Sequence, residues 1–225
     1  MMTPRTHNMV SYLGALLALP VAAFAAGSPP QNVLAVVLWS LHFARRCAET
    51  LFLFNFGSGS VGAADCLQEY AYYWLFAAAI ATALSDPCSV PSSHFQTALG
   101  VAAWISAEAA NHACHRTLAR RSGSKGADGS KTWVPSGEPV LFGQVACPHY
   151  TFEVSSWVAF ALVANGARSA CAFAAIGAVI MDSWALQRHE QYARSCESYS
   201  RLRRTPIVPG LHVPLPRALT DALAR

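Results

Sequence analysis

Apolar and polar positions fall in long blocks along this chain, with no short alternation. Apolar segments run from about Met9 to Ala26, Gln31 to Phe56, Glu69 to Leu84, Phe95 to Cys114 and Val154 to Trp184. A helix needs ~20 mostly apolar residues to cross a hydrocarbon layer, and most of these segments approach that length. The last is about 30 residues long and is interrupted by "ANGARS" at 164–169, where Gly166 gives a turn signal. The pattern predicts about six helices, with a short amphipathic helix near the C-terminal end. Lipid admits only helices and closed barrels, because the backbone must satisfy its own hydrogen bonds there. The runs are too long and too unalternating for barrel strands. The expected fold is therefore all-α, a polytopic membrane helical bundle of about six transmembrane helices.

Composition agrees with that reading. Of the 225 residues, 53% are hydrophobic and only 12% are charged, against roughly 25% charged in soluble domains. The first 30 residues contain Arg5, an apolar stretch and "AFA" at 23–25. They look like a cleavable signal peptide, but the length of the stretch favours a retained first span. The seven cysteines are scattered and form no CxxC pair, which argues against a zinc site or a disulfide framework.

The net charge of +4 is small, but it is concentrated. Arg116, Arg120, Arg121, Lys125 and Lys131 form one basic cluster, and Arg188, Arg194, Arg201, Arg203 and Arg204 form a second. Both follow apolar segments, so the positive-inside rule assigns both to the cytosolic side. Such clusters can be a topology signal, a contact for lipid headgroups or a site for an anionic ligand. Nucleic acid is excluded as a partner, because the rest of the chain is lipid-soluble.

Four stretches could carry chemistry. In "LHFARRCAETLF" (41–52), His42, Arg45, Arg46 and Glu49 stand at i, i+3, i+4 and i+7, one polar stripe on a helix. Ionisable groups inside a bundle face one another or a cavity. The stripe is thus either a self-satisfied Arg–Glu pair with a snorkelling arginine or the wall of a cavity. In "EAANHACHRTLARR" (108–121), Glu108, His112 and His115 share a face, with Asn111 and Arg116 beside it. Two close histidines are too few for a membrane di-iron centre, so no metal is expected, and a ligand-binding rim fits better. In "ACPHYTFEVSSW" (146–157), Pro148 suits the first turn of a helix, which spaces His149, Tyr150 and Glu153 along it. Tyr150 could belong to an interfacial aromatic belt or donate a proton in a partly dry site. In "WALQRHEQYARSCESYSRLRRTPIVPGL" (184–211), Arg188, His189, Tyr192, Tyr199, Arg203 and Arg204 combine cations, hydroxyls and rings. That set suits phosphate and nucleobase contacts, or a basic helix lying on anionic lipid. No GxGxxG, P-loop or GxSxG motif is present, so a dinucleotide would not bind through a Rossmann unit.

The same stretches, with "YLGALL" (12–17), "YAYYWLFAA" (70–78), "GSKT" (129–132), "CPHYTFEVSSW" (147–157), "RHEQY" (188–192) and "RTPIVP" (204–209), resemble trans-2-enoyl-CoA reductases of very-long-chain fatty-acid elongation, in the steroid 5α-reductase superfamily. The resemblance covers about residues 12 to 210 in order and spacing. It implies an N-terminal span over 1–30, a 5α-reductase-like catalytic domain over 31–210 and a tail over 211–225. It implies a multi-pass protein of the endoplasmic reticulum membrane whose cytosol-facing cavity holds NADPH. The implied reaction reduces very-long-chain trans-2-enoyl-CoA to saturated acyl-CoA, with membrane lipid and other elongation-cycle enzymes as partners. A steroid or polyprenol reductase, or a non-catalytic homologue, is the alternative.

By this resemblance Glu49 and Tyr150 are the essential pair, and His149, Glu153, Arg188, His189 and Tyr192 contact the cofactor. With the polar stretches above, the expected cofactor set also takes in His42, Arg46, His112, Arg116, Tyr199 and Arg203. The chain departs from the family pattern at His149, where asparagine is usual, at Phe43, where tyrosine is usual, and at Asn55, where a basic residue is usual.

Overall fold

The computed structural model describes residues 1–26, 32–88, 92–121, 134 and 141–210. Lys125 and Lys131 of the first basic cluster and the "GSKT" stretch lie outside the described residues, as does the tail at 211–225. Six α-helices follow one another: α1 (Pro4–Ala25), α2 (Val33–Phe52), α3 (Ala63–Leu84), α4 (His94–Arg121), α5 (Pro148–Val163) and α6 (Arg168–Ser195), with a 3₁₀ turn, η1, at Glu197–Leu202. Among the described residues the only β pairing is two isolated bridges, Met2 with Val61 and Val145 with Thr205.

The helix ends depart from the apolar blocks where polar residues are helical. Helix α4 runs on through Arg121, and its last turn carries Arg120 and Arg121, which suit the negative end of the helix dipole. Helix α5 starts at Pro148, well before the apolar run at Val154. The break between α5 and α6 falls where the sequence placed it. Asn165 and Gly166 take positive φ (52° and 67°), and the Gly166 N–H reaches back to the Ala161 carbonyl at 2.8 Å, a helix-ending αL turn. Helices α1 and α6 are long and apolar enough to cross a membrane, each containing an 18-residue stretch with a mean hydropathy of 1.6.

The chain divides into two compact units. The first comprises Met1–Ile105 and Ser156–Ala174. In it α1 packs on α2 and α3, burying Ala15, Leu19, Ala35, Trp39, Phe43, Tyr73 and Ile80. Two indoles tie α1 in place: Trp39 donates to the Ala15 carbonyl at 2.8 Å and Trp74 to the Ser11 carbonyl at 3.2 Å. The open carbonyls at the end of α5 are capped by side chains, Asn32 donating to Val163 at 2.7 Å and Gln96 to Leu162 at 2.8 Å. Such capping answers the requirement that helix ends buried from water find partners.

At Gly14 helix α1 packs directly on the Trp74 indole of α3, and a Cβ there would run into that ring. Gly14→Ala is expected to displace that ring and destabilise the protein by about 1–3 kcal/mol, read as a lower melting temperature in detergent. An unchanged melting temperature would contradict this close approach.

The second unit comprises Ser106–Ser155 and Ala175–Arg225. It holds the last turns of α4, the first turns of α5, most of α6, and the segment after it. Ala146, Cys147, Ala185, Tyr192, Tyr199 and Ile207 are buried together with Val134, and Tyr150 packs against them.

Candidate active site

The polar stripe of α2 lies in the first unit. His42, Arg46 and Glu49 are buried, at 3%, 7% and 3% exposure. Both Glu49 oxygens are engaged: Arg45 Nη1 donates to Oε1 at 2.5 Å and Arg46 Nη1 to Oε2 at 2.7 Å. Arg46 also donates to the Tyr12 hydroxyl at 2.9 Å and lies over that ring at 4.9 Å. The carboxylate–arginine pair expected for this stripe is present, with Arg46 and Glu49 buried in the protein. A carboxylate gripped by two guanidinium groups is an acceptor only, so Glu49 is a fixed negative charge between two positive ones. Phe43 is fully buried among rings, 4.7 Å from Trp39 and 5.4 Å from Tyr73. It is a core residue, and a tyrosine hydroxyl there would need a buried partner.

The second unit holds the other polar set. On α4 the buried polar face is Glu108, Asn111 and His115, while His112 is half-buried and Arg116 exposed. Asn111 is fully buried, and its Nδ2 donates to the His149 carbonyl at 2.7 Å and lies 3.4 Å from Glu153 Oε2. Those donor contacts fix which end of the amide is oxygen. Asn111 Oδ1 is buried and has no hydrogen-bond partner among the described residues. Buried polar atoms are almost always satisfied, so this oxygen marks a place for a ligand donor.

On α5, Glu153 is buried, and His149 and Tyr150 are half-buried. The His149 ring lies 4.1 Å from Tyr150 and 5.8 Å from His115, and Tyr150 lies 6.1 Å from Trp184. Asn111 takes the main-chain carbonyl of residue 149, a contact indifferent to whether asparagine or histidine stands there.

From α6 onward, Tyr192 and Tyr199 are buried, His189 half-buried, and Arg188 and Arg203 exposed. The His189 ring Nδ1 and the Tyr199 hydroxyl are 2.9 Å apart. The arginine taken inside is Arg204, at 7% exposure and 5.4 Å above the Tyr199 ring. Burial pushes the Tyr199 hydroxyl up, partly opposed by Arg204. Burial likewise pushes the Cys147 thiol up to about 12, partly opposed by Arg188. Both groups keep their protons at neutral pH and supply no negative charge to pair with the arginines.

Sequence reasoning placed Asn111 beside the α4 face and Arg204 in the C-terminal basic set without assigning either to the cofactor, and it passed over the buried Asp182 of α6. An ionisable residue inside an apolar helix was the available signal for Asp182.

Residues 52–212 match the protein family described as 3-oxo-5-alpha-steroid 4-dehydrogenase. A Caenorhabditis elegans protein named "Probable very-long-chain enoyl-CoA reductase" is 30% identical over 91% of this chain and 70% of its own length. The chain belongs to the steroid 5α-reductase family. This makes the bundle a polytopic membrane protein and the chain a reductase of that family, which uses nicotinamide cofactors. A "Very-long-chain enoyl-CoA reductase" of Dictyostelium discoideum is 29% identical over 89% of this chain and 67% of its own length. A "Polyprenal reductase" of Xenopus tropicalis is 31% identical over 61% of this chain and 49% of its own length.

The donor set of the second unit fits a nicotinamide dinucleotide. Arginines can meet phosphates, buried phenol rings can meet flat heterocycles, and the open Asn111 oxygen can accept from a carboxamide N–H₂.

Proposed function

We propose that this chain reduces long-chain trans-2-enoyl-CoA to saturated acyl-CoA with NADPH, at the cytosolic face of the endoplasmic reticulum membrane. The observation that carries the reading is the first turns of α5, where Tyr150 packs on the buried cluster of the second unit and the buried Glu153 lies 3.4 Å from the Asn111 amide, whose own oxygen has no hydrogen-bond partner among the described residues. The names of two relatives, each matching about nine-tenths of the chain, support the substrate class.

Asn111, His149, Glu153, Arg188, His189, Tyr192, Tyr199 and Arg204 would hold the cofactor. Bound NADPH supplies hydride to the β-carbon of the enoyl thioester. Tyr150 donates from its hydroxyl to the thioester oxygen, where negative charge develops, or delivers the proton that the α-carbon takes up. Glu49 contributes within its own unit by fixing Arg45 and Arg46. The basic ends of α4 and α6 face the cytosol by the positive-inside rule. Their arginines then serve the phosphates of NADPH and of CoA, while the acyl chain stays in lipid.

The polyprenal reductase relative favours a second reading, in which the conjugated carbonyl is an aldehyde. The test offers the purified protein, with NADPH, a long trans-2-enoyl-CoA, a polyprenal and a 4-ene-3-oxo steroid. Oxidation of NADPH with the thioester, giving saturated acyl-CoA, is the expected result. Turnover of the aldehyde or steroid without the thioester overturns the assignment.

A further inference from the structure

The segment after α6 does not leave the unit as a free tail. Arg203 takes a left-handed conformation (φ 47°, ψ 38°) at the end of η1. A non-glycine residue there costs local strain, which persists only when the surroundings require it. The turn carries Arg204 inside and lays residues 205–207 alongside the chain that enters α5. Thr205 N–H donates to the Gln144 carbonyl at 3.2 Å, Ala146 N–H to the Thr205 carbonyl at 2.8 Å, and Cys147 N–H to the Pro206 carbonyl at 3.1 Å. The Thr151 hydroxyl closes the set, donating to the Ile207 carbonyl at 2.5 Å.

These four bonds bracket Tyr150 on both sides in sequence. Cys147 is also the residue whose carbonyl receives the Tyr150 N–H, at 3.0 Å. Ile207 belongs to the buried cluster against which the Tyr150 ring packs. The first turn of a helix has no earlier turn to bond to, and it frays unless other groups hold it. Here the Cys147 carbonyl takes the N–H groups of Tyr150 and Thr151, and the strap of residues 205–207 holds Ala146 and Cys147 ahead of that turn and the Thr151 hydroxyl within it.

We propose that this strap sets the position of the Tyr150 hydroxyl and that Thr151, through the Ile207 carbonyl, is a positioning residue for the reduction. The inference rests on the reading of Tyr150 as the donor. A displacement of about 1 Å at such a group can cost on the order of 100-fold in rate. Thr151→Val keeps the side chain's shape and removes the hydroxyl, whereas Thr151→Ser keeps the hydroxyl.

The experiment compares both variants with the wild type in two measurements. The first is steady-state reduction of a long trans-2-enoyl-CoA. The second is nitration of tyrosines by tetranitromethane, read peptide by peptide, which needs no activity. For Thr151→Val the expected result is kcat lowered about tenfold or more, with KM for NADPH within about twofold, faster nitration of Tyr150, and the buried Tyr192 unchanged. Thr151→Ser should behave as wild type in both measurements. Unchanged kcat and unchanged Tyr150 nitration in Thr151→Val would overturn the proposal. Faster nitration of Tyr150 and Tyr192 together would overturn it too, because the strap would then be a general folding element. If the wild type fails to reduce the thioester while Tyr150 nitration still responds selectively to Thr151→Val, the strap stands and the substrate assignment falls.

Discussion

Tyr150→Phe is expected to lower kcat/KM for enoyl-CoA reduction by about 100-fold or more, the usual scale for removing a positioned proton or hydrogen-bond donor. The substitution is clean because the two functions of this side chain separate. Its ring packs 4.1 Å from His149 and 6.1 Å from Trp184 and closes the buried cluster of the second unit. Phenylalanine keeps that ring. Only the hydroxyl is lost, so the protein should still insert in the membrane and bind NADPH. The measurement is single-turnover oxidation of bound NADPH after addition of a long trans-2-enoyl-CoA, with NADPH binding followed separately. A phenylalanine variant that turns over within about threefold of wild type would remove Tyr150 from the chemistry and return it to the aromatic belt.

Much of this arrangement was legible in the sequence where one residue has one physical meaning. Pro148 is favoured in the first turn of a helix, where its missing N–H costs nothing, so it located the start of α5 ahead of the apolar run. Gly166 marked the turn between α5 and α6 for a similar reason. The α2 stripe was legible as spacing, but spacing could not choose between a paired carboxylate and a cavity wall. That choice depends on rotamers, and the structure shows both oxygens of Glu49 taken by arginines.

Asn111 was harder to read. A single asparagine in an alanine-rich helix has no distinctive pattern, and its meaning appears only when its Nδ2 meets the carbonyl of a residue 38 positions away. Arg203 and Arg204 are indistinguishable as neighbours in sequence. A left-handed turn at the first leaves it exposed and buries the second. The strap at 205–207 was quoted as a family motif, yet nothing in "RTPIVP" announces that its carbonyls hold the entry to α5.

Glu49→Gln should lose both activity and stability. The carboxylate is 3% exposed and is the counter-charge to Arg46, itself 7% exposed. Glutamine matches its size but presents an amide N–H₂ where one oxygen accepted from an arginine. The result is a donor facing a donor and a buried guanidinium without its anion. Removing one member of a buried ion pair costs about 3–5 kcal/mol, because the remaining charge has been taken from water without compensation. Arg45 is more exposed, at 19%, and Arg45→Gln should cost less, about 1 kcal/mol or below. The decisive comparison adds Arg46→Met to Glu49→Gln, which removes the stranded charge along with its partner. That double variant is expected to recover most of the melting temperature lost by Glu49→Gln while remaining inactive, because the Glu49 carboxylate and the Arg46 guanidinium it fixes are both gone. Coupling between the two positions in a double-mutant cycle reads the pair directly. A single Glu49→Gln variant that melts with the wild type would show that the pair adds nothing to the fold. A double variant that regains activity as well as stability would show that the stripe holds the bundle together and has no part in the reduction.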